Sequence, residues 1–202
     1  MSTRMFLLVS VTLLLLPALG HAAPLNLIAG LNSGQLWAEF RGAGDRAVTG
    51  TIGRTVDTPL EVSIPAGTQF WAQAGGRQGQ ANFGGLPVDL THSTVAQVTL
   101  HTCCTNIGLP EATPDDIMIP VVCPDARLAR LLSLPGINNQ PHMAVQTAVW
   151  VVANDPRSAE VRRVLRKEPG VGSSAFAAEM MSAAAGLLQA AGLDPASFRL
   201  YR

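Results

Sequence analysis

The chain is 202 residues long and carries 14 basic against 14 acidic side chains, so its formal net charge is zero and only 14% of it is charged. That balance excludes the broad positive field that nucleic acid or an anionic membrane surface requires. The length suffices for one large domain or two small ones, with a core that needs no staples.

The chain begins with a basic residue, Arg4, then an apolar run over 6–16, a break at Pro17, and small residues including Ala18, Gly20, Ala22 and Ala23. This order predicts a signal peptide over 1–22, cleaved near Ala22 or Ala23. An apolar run of about 11 residues is too short to cross a hydrocarbon core of ~30 Å as a helix. The mature protein is expected to be exported, whether periplasmic, envelope-held or secreted, with no membrane span left after cleavage.

From 25 to 101 apolar residues alternate with period two, broken by Gly, Pro, Asn and Asp, which predicts short strands. Leu36, Ala38 and Phe40 share one face, and Trp37, Glu39 and Arg41 the other. Further strands are expected over 46–52, 60–64, 68–73, 80–83, 87–91 and 94–102, with the glycine-rich 75–79 segment as a hairpin loop. Strands at such short intervals, without intervening helices, predict an antiparallel, Ig-like β-sandwich over 25–102.

Beyond a Cys- and Pro-rich connection over 103–123 the spacing changes to three and four. Cys123-Pro124-Asp125 opens a first helix with Leu128, Leu131 and Leu132 as its buried stripe, stopped by Pro135-Gly136. A second helix after Pro141 turns Val145, Ala148, Val149 and Val152 inward and ends at Asn154-Asp155-Pro156. A third covers 158–167, and a link over 168–173 leads to an Ala-rich helix over 174–191, stopped by Gly192. The expected class is therefore α+β, an N-terminal sandwich followed by a small all-helical C-terminal domain over 124–202.

Exported cysteines usually pair, so Cys103, Cys104 and Cys123 are expected to make one disulfide, Cys104–Cys123 or Cys103–Cys123. Adjacent cysteines bond to each other only through a strained ring, and neighbours in a strand point to opposite faces. One thiol is left over.

Gln146, Ala148, Val149 and Trp150 form a Gln-x-Ala-Val-Trp segment. It resembles the matching element in the thioester domains of bacterial surface adhesins, where the Gln side chain is joined to a Cys thiol and can capture a host nucleophile. That resemblance implies a thioester between Cys103 and Gln146. Val145 stands where that family typically has Thr, and Thr102-Cys-Cys-Thr105 lacks the aromatic context of its Cys. The same segment, placed after a β-region and a Cys/Pro-rich connection, is also similar to uncharacterised exported bacterial proteins, a likeness that implies no activity. From the residues alone, Gln146 and Trp150 lie one turn apart, which predicts a Trp packed on the sandwich and a Gln bonded locally.

His101, Cys103 and His142 are of metal-ligand type but lack the compact spacing of a local site, so neither metal nor cofactor is expected. The chain holds no Gly-x-Ser-x-Gly elbow, His-Glu-x-x-His pair or phosphate loop, and no catalytic residue is assigned. The leading expectation is an exported, non-enzymatic binding or structural protein whose partner is an unknown envelope or extracellular component. The rivals are a thioester-type covalent adhesin and an enzyme whose site leaves no local motif.

Overall fold

The computed structural model describes residues 23–166 and 174–202; the signal peptide expected over 1–22 and the link expected over 168–173 lie outside the described residues. The protein is mixed α/β. After β1 (Leu25–Asn26), Asn26 caps a six-residue helix, α1 (Leu27–Asn32), by accepting from the Ile28 and Ala29 amides at 2.9 and 3.2 Å. The alternating pattern read across this stretch as strand concealed that helix.

Eight further strands follow: β2 (Leu36–Gly42), β3 (Ala47–Arg54), β4 (Leu60–Ile64), β5 (Gln69–Ala72), β6 (Gln80–Asn82), β7 (Leu86–Leu90), β8 (Val95–Cys104) and β9 (Met118–Val121). They do not form the expected Ig-like sandwich. Six of them make one antiparallel sheet in the order β2-β3-β8-β6-β5-β9, which curls until its two edges nearly meet; β1, β4 and β7 form a separate small sheet. The near-closure rests on the Gly42 amide donating to the Asp116 carbonyl at 3.2 Å and on a bridge between Arg41 and Ile117. A Cβ at Gly42 would stand 2.7 Å from the Ala112 carbonyl carbon and 2.8 Å from the Thr113 oxygen, so only glycine lets the 109–117 loop approach. Phe40, Val48, Ile52, Phe70, Val98 and Leu100 fill the interior and share a core with Leu27 of α1 and with Val62, Ile64 and Leu90 of the smaller sheet. Phe40 and Phe70 meet edge to face at 5.0 Å.

The helices are α2 (Ala126–Leu132), α3 (His142–Asn154), α4 (Ser158–Leu165) and α5 (Ser174–Ala190). They pack on the sheet, and their core takes in Ala81 of β6 and Cys103 of β8. Met143 to Val152 of α3 are all buried, not merely the four positions of one stripe. A helix pressed between a sheet and another helix has no wet face to keep polar.

Candidate functional site

β8 organises the site. Its Val98, Leu100, Thr102 and Cys104 point into the curled sheet, while Thr99, His101 and Cys103 point out; Cys103 lies under the helices with no exposed surface. Along the edge facing β3, the final backbone bond is from the Thr102 amide to the Arg46 carbonyl at 2.9 Å. Two residues on, the Cys104 amide and carbonyl face the same edge, but β3 begins only at Ala47 and the chain has turned away at Gly44-Asp45.

Gln146 of α3 takes the vacated place. Its Oε1 accepts from the Cys104 amide at 2.8 Å and its Nε2 donates to the Cys104 carbonyl at 2.7 Å. The side-chain amide thus acts as one more rung of β-ladder, with the residue 2% exposed. On the opposite edge β6 continues the pairing, Gln80 opposite Cys104 and Ala81 opposite Cys103.

The two neighbouring thiols have different surroundings. Burial pushes the Cys103 thiol well above its ordinary pKa, with Cys104 and Asp45 adding to the rise. The Cys104 thiol, facing inward, donates to the Asp45 carbonyl at 3.7 Å; burial first and Asp45 second push it up to about 12.

Comparison with family models, curated proteins and solved structures returns no match.

Where β8 and the start of α3 come together opens a cavity of about 550 Å3, walled by Arg46 and Ala47 of the β3 start, Phe83, Thr99 and His101 of β8, Asn138 and Gln140 from the approach to α3, and His142, the first residue of α3. The Phe83 ring lies 6.2 Å from that of His101 and 6.3 Å from that of His142. His142 is half-buried, and its Nε2 has no protein partner among the described residues. Burial lowers the His142 pKa below 6.5, helped by Arg46 and His101 and opposed by Asp45, so the ring is neutral at pH 7.

The expected disulfide is not formed: Cys103, Cys104 and Cys123 are all free. The sheet order explains why. β6 and β5 lie between β8 and β9, so the strands carrying Cys104 and leading to Cys123 stand about three spacings, ~14 Å, apart, whereas a disulfide needs Cα atoms within about 7 Å. Cys123 instead accepts from Gln69 Nε2 at 3.6 Å and donates to the Asp125 carbonyl at 3.2 Å. Of the three residues of metal-ligand type, His101 and His142 share the cavity while Cys103 lies beneath α3; no group of three ligating side chains occurs among the described residues. Trp150 is buried among the helices, one turn beyond Gln146. Arg46, Phe83, Asn138 and Gln140 carry no sequence signal of a shared site. The one legible signal is the four-residue spacing of His142 and Gln146, which puts both on one helix face.

Proposed function

We propose that this chain is an exported, non-enzymatic binding protein of the bacterial envelope that attaches to its partner covalently, through a thioester between Cys103 and Gln146. The observation that carries the reading is the pair of hydrogen bonds holding the Gln146 carboxamide on the peptide that follows Cys103. Cys103 points to the same side of β8 as α3, and the Cys104 amide lies 2.8 Å from Oε1, where an oxyanion would develop as sulfur adds to Cδ. In that step the S–Cδ bond forms, the Cδ–Nε2 bond breaks, and the thiol proton leaves with Nε2 as ammonia. Burial of the site keeps water from the acyl group.

The test is the intact mass of the purified mature protein. Thioester formation lowers it by about 17 Da, and methylamine opens the bond with a gain of about 31 Da and release of the thiol. Cys103→Ala should abolish the deficit, whereas Cys104→Ala should keep it. A full-mass protein whose Cys103 alkylates on unfolding overturns the proposal. A second reading, non-covalent binding with Gln146 as a structural rung, is favoured by the carboxamide's two satisfied hydrogen bonds, and the same mass separates the two.

A further inference from the structure

The cavity shares β8 and α3 with the acyl group that the thioester reading creates, which lies behind its wall. His101 precedes Cys103 by two residues on the outward face of β8, and His142 precedes Gln146 by one turn, a rise of about 6 Å. Resting on that reading, we propose that the acceptor delivered to the Cys103–Gln146 acyl group is a carbohydrate hydroxyl docked in this cavity, with His142 as the residue that takes its proton.

Charge, shape and chemistry each support this choice. Among the described residues the cavity wall carries Arg46 and two histidines but no carboxylate. Asp45 approaches Arg46 Nε at 3.7 Å without joining the wall. An ammonium group entering there would lose water beside a fixed cation and gain no counter-charge. Neutral hydroxyls meet what they need instead, since Asn138 and Gln140 both donate and accept, and Phe83 presents an apolar ring. A volume of about 550 Å3 admits one or two sugar rings.

A hydroxyl must also shed its proton as it attacks, whereas a neutral amine can attack without a base. His142 borders the cavity, and its Nε2 is buried and lacks a protein partner among the described residues. The groups facing its ring are Arg46 and Asp45 from the start of β3 and His101 from β8; burial, Arg46 and His101 keep it neutral, and Asp45 pulls the other way. In the transfer, the sugar oxygen bonds to Cδ and the C–S bond breaks with its electron pair on Cys103. The hydroxyl proton passes to His142 Nε2 and from there to the thiolate. The products are an ester on residue 146 and a free Cys103 thiol, and no other reactant is consumed.

The experiment incubates mature protein carrying the mass deficit with maltotriose, Nα-acetyl-lysine or methylamine at pH 7, and reads adducts by mass. The expected result is a maltotriose adduct that dominates over the Nα-acetyl-lysine adduct at equal concentration and is cleaved by hydroxylamine. His142→Gln should slow maltotriose transfer by about 100-fold while methylamine opening stays within about threefold. In the wild type, maltotriose transfer should rise with pH to a plateau, with an inflection below 6.5 that the variant lacks. Preference for Nα-acetyl-lysine, or equal slowing of both reactions in His142→Gln, overturns the inference. Absence of the deficit in the starting protein refutes the thioester and this inference with it; a deficit that passes to methylamine but not to maltotriose refutes the carbohydrate acceptor alone.

Discussion

Truncating Gln146 isolates the contribution of its contact with β8. Gln146→Ala leaves the Cys104 amide and carbonyl without partners in a site where Cys104 is 1% exposed. Each orphaned buried group costs about 1–3 kcal/mol, and with both lost but the space left by the truncated side chain open to a water the expected total is about 3 kcal/mol. In a protein carrying the thioester the same substitution also removes a cross-link closing about 43 residues (146 minus 103), which the chain-entropy estimate sets at about 4 kcal/mol. The comparison that separates the two is Cys103→Ala against the double variant Cys103→Ala/Gln146→Ala, since neither can form the bond. Thermal unfolding by circular dichroism should place the double variant about 6–12 °C below the single one. A difference under about 2 °C would refute the argument that Gln146 completes the ladder.

Two other outcomes follow from the cysteines. Because Cys123 touches no other cysteine, Cys123→Ala should change stability in urea titration by less than about 1 kcal/mol; a loss of about 2–5 kcal/mol would mean that a disulfide had been removed after all. The Cys104 thiol ionises near 9.0 when unfolded and near about 12 when folded, so its contribution is fully present below pH 9 and is lost as pH rises toward 12, at about 1.4 kcal/mol per unit. Tyr201, raised to about 12 by burial, acts in the same direction from pH 10 upward. Melting temperature recorded from pH 8 to 11 should therefore fall, less steeply in Cys104→Ala; a flat profile, or the same slope in that variant, would contradict the buried neutral thiol.

The strands of the curled sheet were largely legible because period two marks which side chains share a face. It does not say which strands are neighbours. Closure depends on a loop passing Gly42 at a distance only glycine permits, and nothing in the alternation of β2 announces that approach. β9 went unread because Pro120 interrupts a four-residue strand; Pro is tolerated there because β9 is the last strand of the sheet. The capped turn of α1 is too short to show a helical period. For the disulfide, the expectation rested on the usual pairing of exported cysteines, which says nothing of the two strands that come between. The α3 pattern was readable in part: the run from Met143 to Val152, apolar at every position but Gln146 and Thr147, marks a helix covered on both sides, a signal distinct from the one-sided stripe.

The site itself follows from a coincidence of two repeat lengths. Two residues along β8 advance about 6.8 Å and four residues along α3 advance about 6 Å, so His101 and Cys103 keep step with His142 and Gln146. The first pair borders the cavity and the second lies in the dry interface behind it. A slip of one residue in β8 would reverse the faces, turning Cys103 into the curled sheet and Cys104 toward the helices, and would move His101 off the cavity wall. Gln146 opposes that slip, because its two hydrogen bonds fit the amide and carbonyl of one residue on the edge that β3 leaves open. The contact that would position the acyl group is thus also the contact that holds the strand in register, which is why its removal should register in stability and in mass alike.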